Sequence, residues 1–407
     1  MQKALKAQPH QEFINIQNCR IPAPLPHPPK SSLAMPRNQA LSSILSGDSP
    51  NSIPDCSLSF MPTLADLGYT AEEIEHAKNP DPRGVMTFVG GETAGLARVQ
   101  DYIFDKDLLK IYFDTRNGML GGDYSTKFSP WLAHGCISPR HIAKECKRYE
   151  QETGIANKST YWVVFELLWG CYFRMFSLKH GNSIFQLDGT LGKDARGTHP
   201  NSRRWGMNKK SVDAWKEGKT GYPLVDANMR ELAATGFMSN RGRQNVASFL
   251  ALDMNTDWRY GADHFEELLL DHDVYANWGN WCAAAGMTGG RVNRFNIVKQ
   301  SKDYDKEGDY VRHWCPELSN IPTKLIHEPW KLSPEQQKEF GVRLGVDYPN
   351  PIIKNTAPNP YARNERGGGK GRGKGGQKGK RGGNNPNRGR NQRQDMKSLK
   401  TGSYRMD

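Results

Sequence analysis

The chain has 407 residues, a formal net charge of +13 and a mean hydropathy of −0.74. This length allows two average domains or one large domain with tails, and the polar average indicates a folded body joined to disordered segments. The charge is uneven, because residues 363–407 contain 14 Lys and Arg against 3 Asp and Glu. The rest of the chain is nearly balanced, so any basic patch on the body must come from local arrangement rather than bulk charge.

The cysteines and the hydropathy profile exclude several classes of protein. The seven cysteines are odd in number, form no CxxC pair and have no zinc-type spacing with histidine. We therefore expect a reducing compartment, no disulfide framework and no metal site. The most apolar run, over residues 161–178, is interrupted by Glu166, Gly170 and Arg174. A buried helix explains this run better than a membrane span does, and no signal peptide is visible.

Composition divides the chain into three parts. Residues 1–61 are rich in Pro, Ser and Asn and contain no GxGxxG motif, so we predict an extended linker and no nucleotide-binding α/β domain. Residues 62–355 have helical patterning, including one long amphipathic helix over Gly90–Phe113 and a helix start at Ser138-Pro139. Residues 356–407 are rich in Arg, Gly and Lys and cannot form a core. Such tracts bind RNA or DNA phosphates without reading sequence, and a solubilising tail is the alternative.

Hydroxyl groups and an ammonium group cluster just before one predicted helix. The members of this cluster are Tyr124, Ser125, Thr126, Lys127 and Ser129. Side chains of this kind, together with the free backbone N–H groups of a helix start, suit a phosphate. Simple capping of the helix by Ser or Thr is the alternative interpretation.

The predicted helix from Ser159 to His180 has a carboxylate beside a tryptophan. Glu166 and Trp169 are three residues apart and therefore share one face. They could form a pocket wall, in which the indole stacks on a base and the carboxylate accepts its N–H groups. The alternative is an internal salt bridge from Glu166, for which Arg174 is one candidate partner.

The stretch from Thr235 to Trp281 contains more polar side chains than an ordinary core. Amides and charges lie among Phe237, Leu250, Leu269 and three tryptophans, and burying them is costly unless something satisfies them. A network in which they satisfy one another is one solution. Their number favours a large polar ligand instead. These polar residues are Asn240, Arg243, Asp271, Asp273 and Asn277.

From about residue 62 to residue 353 the sequence resembles the photolyase/cryptochrome family, and within it the cryptochrome-DASH branch. The resemblance rests on five long segments that occur in the family's order. Gln244, in the NRGRQN motif, is of the DASH type, where classical photolyases tend to carry Met. The segments cover residues 112–140, 161–169, 214–232, 235–250 and 257–281.

The resemblance implies an all-helical domain that holds a bent FAD in a central cavity. The positions that would surround the pyrophosphate and adenosine are Tyr112, Ser125, Thr126, Phe128 and Ser129, and the local cluster adds Lys127 to this set. The positions that would line the flavin are Asn240, Arg243, Asp271, Asp273 and Asn277. Among these, Asn277 matches the residue that faces flavin N5, and Arg243 and Asp271 would form an ion pair near the ring.

The resemblance also implies residues for the substrate and for electron transfer. Glu166 and Trp169 match positions that touch a flipped pyrimidine dimer. Arg116, Arg241 and Gln244 would lie near the DNA. The three tryptophans that pass an electron to photoexcited flavin would be Trp281, Trp258 and Trp205.

The implied reaction is light-driven repair of cyclobutane pyrimidine dimers, with single-stranded DNA as the preferred substrate. The sequence departs from the family at Gly170-Cys171, where Arg and an acidic residue are usual, and at Ala283, where an aromatic is usual. Both departures lie near the lesion side, so they bear on repair more than on FAD binding. The segment 12–27 resembles the end of the family's α/β antenna domain, so we expect that domain and a complete folate (methenyltetrahydrofolate) site to be missing.

Three functions are compatible with the sequence. The first is a DASH-type photolyase, the second a blue-light photoreceptor without repair activity, and the third a nucleic-acid-binding protein that acts through its Arg/Gly tail. We expect a monomer that binds single-stranded or damaged DNA, and RNA through the tail, without binding a membrane. The compartment stays open among chloroplast, mitochondrion and nucleus.

Overall fold

The computed structural model of the protein describes residues 63–78, 80–193, 204–290 and 292–353. These residues form helices and turns, and the only β-type pairings among them are isolated bridges at Gly206–Thr256 and Leu344–Tyr348. The prediction of a mainly α fold is confirmed. No helix in these ranges combines the length and the apolar content that crossing a membrane requires. The predicted linker 1–61 and basic tail 356–407 lie outside the described residues.

The α-helices are numbered here in chain order over the described residues. They are α1 Ala71–Lys78, α2 Glu92–Gln100, α3 Tyr112–Thr115, α4 Ser129–Ala133, α5 Pro139–Thr153, α6 Lys158–His180, α7 Lys209–Lys216, α8 Pro223–Thr235, α9 Asn240–Ser248, α10 Arg259–Leu268, α11 Val274–Ala284, α12 Ile297–Tyr304, α13 Asp309–Trp314, α14 Thr323–Ile326 and α15 Pro334–Phe340.

Side-chain caps fix where the helices that carry candidate residues begin. Ser138 Oγ accepts a hydrogen bond from the backbone N–H of Arg140, which confirms the predicted start of α5. Ser239 caps α9 and Asp273 caps α11 in the same way. A cap satisfies a backbone N–H that the helix leaves free, and it typically stabilises the helix by about 1 kcal/mol.

The predicted long helix over Gly90–Phe113 is wrong. The chain is α-helical from Glu92 to Gln100 and widens into a π-helical turn over Asp101–Asp105, where the N–H of Lys106 bonds to the carbonyl of Asp101. Asp107 then adopts a left-handed φ of 53°, which no helix interior accepts but which Asp tolerates. The sequence pattern does not show this break, because residues on both sides of it are apolar. Tyr102, Ile103 and Leu109 are all buried, as they would be in a continuous helix.

Two hydrophobic cores support the candidate residues. The smaller core includes Tyr112 and Phe128, and the larger core includes Trp258 and Trp281. Helix α6 contacts α3 and α5 as well as α11, so it joins elements of both cores.

The contact between α6 and α11 depends on Gly279. A Cβ atom built on Gly279 would lie 2.4 Å from a ring carbon of Phe173, which is closer than side-chain packing allows. The absence of a side chain at Gly279 therefore lets α11 approach α6 closely enough to bury Asn277 and Trp278 on the same helix.

We expect Gly279→Ala to destabilise the protein by about 1–3 kcal/mol, because the added methyl group overpacks a closed contact. Gly170→Ala is the matched control, since Gly170 lies in α6 with no atom within 4 Å of the built Cβ. That change should stabilise the protein by about 1 kcal/mol through helix propensity. Urea unfolding measures both free energies, and equal effects of the two substitutions would contradict the close packing at Gly279.

Candidate functional site

The loop before α4 is held in place by the buried guanidinium of Arg98. Its Nε donates to the carbonyl of Thr126 at 3.1 Å and its Nη2 donates to the carbonyl of Gly122 at 2.9 Å. Its Nη1 forms an ion pair with Asp101 at 2.7 Å. Arg98 thus anchors several points of a loop that lies more than twenty residues further along the chain.

Lys127 is the best-defined candidate for a phosphate ligand in this loop. It has a left-handed φ of 59° and is followed by Phe128 in the right-handed helical region. Such an alternation turns successive backbone N–H groups toward one anion. The Lys127 Nζ donates to Ser125 Oγ at 2.9 Å and lies 3.0 Å from the centre of the Tyr124 ring.

The Lys127 amine is 3% exposed and forms no ion pair with a carboxylate in the described ranges. The buried Glu231 carboxylate is nevertheless the charge that most favours its protonated form. Burial lowers the pKa of Lys127 well below its usual value. The alternative of simple capping is not what the structure contains, because Phe128 occupies the cap position of α4 and no side chain caps the helix. An ammonium, hydroxyls and convergent N–H groups are donors that suit a phosphate.

The ion pair implied for Arg243 and Asp271 is present. Arg243 Nη2 donates to both carboxylate oxygens of Asp271, at 2.8 and 3.0 Å, and its Nε donates to the carbonyl of Met238 at 2.9 Å. The Asp271 side chain is 2% exposed and that of Arg243 is 28% exposed. The pair therefore presents one partly accessible cation on α9, backed by a buried anion from the turn before α11.

The other flavin-lining candidates have different surroundings. Asn277 is buried, and its Nδ2 donates to the carbonyl of Ala262 at 2.9 Å. Asp273 caps α11 and lies 3.8 Å from Arg174, so its local role is structural. Asn240 is exposed at the first turn of α9. Tyr112 is buried at the start of α3, and its burial raises the pKa of its phenol.

Sequence reasoning missed two buried polar residues. Glu231 on α8 is fully buried; one of its oxygens accepts a hydrogen bond from Tyr310 at 2.6 Å and the other has no partner in the described part of the chain. Burial raises the pKa of Glu231 to about 7, although the Tyr310 hydrogen bond lowers it. Both polar atoms of the Asn245 side chain are likewise buried without partners there. The only sequence signal for these two residues is that each is a polar side chain, an acid or an amide, on an otherwise apolar helix face.

These groups fit a dinucleotide such as FAD. Buried polar atoms without partners are uncommon in proteins, and each one calls for an explanation. Lys127, Arg243 and Asn277 are cationic or amide groups of the kind that bind phosphates and the polar edge of a flavin ring. Within the ranges described, no group of three or more His, Cys, Asp or Glu side chains is arranged to hold a metal ion.

The predicted substrate-facing residues converge on Glu166. Arg116 Nη1 donates to Glu166 Oε1 at 2.9 Å, and the indole N–H of Trp162 donates to the same oxygen at 3.0 Å. The alternative of an internal salt bridge at Glu166 is thus present, but its suggested partner Arg174 is wrong, since Arg174 lies near Asp273 and the pair forms with Arg116. Burial raises the pKa of Glu166 even though Arg116 acts to lower it. Trp169 packs edge-on against Phe165 and other aromatic rings of α6.

Arg241 extends this group of residues. Its Nη2 donates to Asn117 Oδ1 and its Nη1 to Gln244 Oε1, both at 2.9 Å. Because Asn117 follows Arg116 in the chain, Arg241 and Gln244 lie near the Arg116–Glu166 pair. We call Glu166, Arg116, Asn117, Arg241 and Gln244 the Glu166 surface.

Trp258 and Trp281 lie at the beginning of α10, and the segment that carries Trp205 pairs with the residues just before it. Trp258 is fully buried, and its indole N–H donates to the carbonyl of Leu187 at 3.1 Å. Trp281 lies against Gly261, one helical turn later, where a built Cβ would be 2.2 Å from the indole. The backbone next to Trp205 joins this region, because Gly206 pairs with the segment that precedes Trp258.

Comparison with known proteins identifies the family of the chain. Residues 162–365 match the FAD binding domain of DNA photolyase. The chain is 56% identical over 299 residues to "Cryptochrome DASH, chloroplastic/mitochondrial" of Ostreococcus tauri, covering 72% of this chain and 52% of that protein. It is 53% identical over 300 residues to "Cryptochrome DASH" of Danio rerio, covering 73% and 54%.

Solved structures give the same result. The crystal structure of the Synechocystis sp. PCC6803 cryptochrome has 55% identity and a TM-score of 0.64, covering 68% of this chain and 56% of that chain. A class III photolyase from Agrobacterium tumefaciens has 32% identity and a TM-score of 0.57, covering 65% and 52%. The chain spans about half the length of the curated relatives it matches. It belongs to the photolyase/cryptochrome family, on the cryptochrome-DASH branch, and contains the FAD-binding domain of that family.

Proposed function

We propose that the protein uses bound FAD to repair cyclobutane pyrimidine dimers in single-stranded DNA under blue or near-UV light. The observation that supports the cofactor assignment is Lys127, a buried amine with no ion pair in the described ranges, in a loop whose backbone alternation suits an anion. When bound, reduced FAD supplies the light-driven electron donor for splitting the dimer. The chain's own residues would bind and orient the cofactor and the dimer, and they would exclude water from the site.

The role that we propose for each residue follows from its local chemistry. Ser125, Thr126 and Lys127 would hold the cofactor phosphates. The Arg243 guanidinium, backed by Asp271, would face the polar edge of the flavin ring, and Asn277 would face its N5 position. Oxygen Oε2 of Glu166 accepts no hydrogen bond within the described residues, so it is available to an N–H group of a flipped base.

A photoreceptor without repair activity is the second candidate. Gly170 is exposed with open space around its Cα, at a position where family members usually carry Arg, and Ala283 is small where an aromatic is usual. Both leave the lesion side with fewer groups to hold DNA. Illumination of the flavin-loaded protein with dimer-containing single-stranded DNA decides between the candidates, since dimer loss requires repair. RNA binding through residues 356–407 is tested separately by deleting that tail.

We further propose a chloroplast or mitochondrion as the location, because the Ostreococcus tauri relative is named for these organelles. The nucleus is the other option. A fluorescent-protein fusion of the complete coding sequence distinguishes the three.

Replacing Lys127 with Met should weaken FAD binding roughly tenfold or more, because a charge-assisted hydrogen bond contributes about 1.5–3 kcal/mol. Lys147→Met is the control, since Lys147 is exposed on α5 and pairs only with Glu150. Equilibrium dialysis with FAD provides the measurement, with circular dichroism to verify folding. Equal FAD affinities for the two variants would remove Lys127 from the phosphate site.

Glu166→Gln should lower the yield of dimer repair while FAD remains bound. The amide keeps the shape of the side chain but loses the ion pair with Arg116 and the charged acceptor for the base. We expect roughly a tenfold loss, equivalent to about 1.4 kcal/mol. Glu152→Gln, at an exposed position on α5, should leave the yield unchanged. Unaltered repair by Glu166→Gln would show that this carboxylate does not hold the substrate.

Trp281→Phe should slow photoreduction of the flavin without releasing it, because the phenyl ring packs on Gly261 but is much harder to oxidise than indole. The rate is measured as the loss of oxidised-flavin absorbance under blue light in the presence of an external thiol. Release of flavin from the purified variant would instead assign Trp281 a mainly structural role.

A further inference from the structure

A fourth tryptophan contacts the predicted electron-transfer group. Trp278 lies on α11 three residues before Trp281, and the centre of its ring is 5.9 Å from that of Trp258 at an interplanar angle of 74°. Trp258 is fully buried, whereas Trp278 is 8% exposed. Trp278 therefore forms a short step from the buried centre of the group toward the surface.

The surroundings of Trp278 differ from those of its neighbours. Its indole N–H donates to the Glu266 carboxylate at 2.7 Å, whereas the indole of Trp258 donates to a backbone carbonyl. The indole of Trp215, which packs against Trp281, also donates to a backbone carbonyl. A carboxylate can accept a proton and a peptide carbonyl cannot do so at neutral pH. Among these indoles, only that of Trp278 has a proton acceptor in the described structure.

The proton acceptor is connected to solvent. About half of the Glu266 side chain is exposed, and Nε2 of His272 lies 3.9 Å from the oxygen that receives the Trp278 hydrogen bond. On its other face, the Trp278 ring packs edge-on at 5.0 Å against Phe185, which is 37% exposed. A proton released to Glu266 can therefore leave to the solvent, because this carboxylate is half exposed.

We propose that Trp278 and Glu266 form a second exit for an oxidising equivalent that reaches Trp258. This inference rests on the proposed function, in which photoexcited flavin is the one-electron oxidant. Trp278 gives one electron to the Trp258 radical cation, which restores neutral Trp258. The N–H bond of the Trp278 radical cation then breaks and the proton moves to the Glu266 carboxylate, which leaves a neutral Trp278 radical. A dissolved thiol later returns one electron and one proton.

The proton step makes this branch different from simple packing of two rings. A tryptophan radical cation is a far stronger acid than tryptophan itself, so a carboxylate at hydrogen-bond distance captures its proton rapidly. Loss of the proton traps the oxidising equivalent on Trp278, because reversal then requires the proton to return. The branch would thus prolong charge separation independently of Trp205.

Transient absorption after blue excitation of the flavin-loaded protein tests the branch in three variants: Trp205→Phe, Trp278→Phe and the double variant. We expect Trp205→Phe to retain a long-lived neutral tryptophan radical and the double variant to lose it. Loss of that radical in Trp205→Phe alone, as complete as in the double variant, would overturn the proposal. Because Trp278→Phe could perturb packing, Glu266→Gln in the Trp205→Phe background gives a second test. It should shorten the lifetime and leave a radical cation.

A flavin-free experiment separates failure of the branch from failure of the proposed function. The apoprotein is oxidised with photogenerated sulfate radicals, and oxygenated tryptophans are located by mass spectrometry. We expect product at Trp278 to fall in Glu266→Gln but not in Glu267→Gln, an adjacent exposed carboxylate that is paired only with His264. Equal product in both variants overturns the branch. If the wild type forms no radical under light yet shows this difference, only the flavin-dependent proposal fails.

Discussion

The ion pair between Arg243 and Asp271 is the interaction on which the rest of the candidate site depends. It joins α9 to the turn between α10 and α11, and its buried carboxylate has no other cationic partner in the described structure. Removing one member of a buried pair typically costs roughly 3–5 kcal/mol, because the other charge is left without compensation. The pair therefore holds α9, which carries Asn240, against the turn that precedes α11, which carries Asn277 and Trp281.

Local features of this fold could be predicted from the sequence. The start of α5 at Ser138-Pro139 could be predicted from two adjacent residues, a Ser cap and a Pro in the first turn. The break inside Gly90–Phe113 could not be predicted in the same way. Apolar spacing continues through the π-helical turn, so periodicity alone does not reveal the change in backbone.

The contacts of the site were harder to predict because its partners are distant in sequence. Glu166 and Arg116 are 50 residues apart, and Arg241 and Asn117 are 124 apart. Only the resemblance to a known family brought such residues together in advance. Glu231 and Trp278 illustrate what remained hidden, since a single acid or indole on an apolar helix face has no local signature. Only the structure shows the contacts that suggest a role for them, which are Tyr310 for Glu231 and both Trp258 and Glu266 for Trp278.

The anchoring of the loop by Arg98 affects how a ligand would be received. Backbone ordering usually opposes binding, since each mobile residue loses conformational entropy when it closes on a ligand. Here the carbonyls of Gly122 and Thr126 are already fixed by one planar guanidinium. The entropy of the loop is therefore lost during folding and not during binding. Lysine at position 98 would keep the charge but could not hold the two carbonyls as a fork. If the loop binds an anion as proposed, its affinity would thus depend in part on a residue that need not touch the anion.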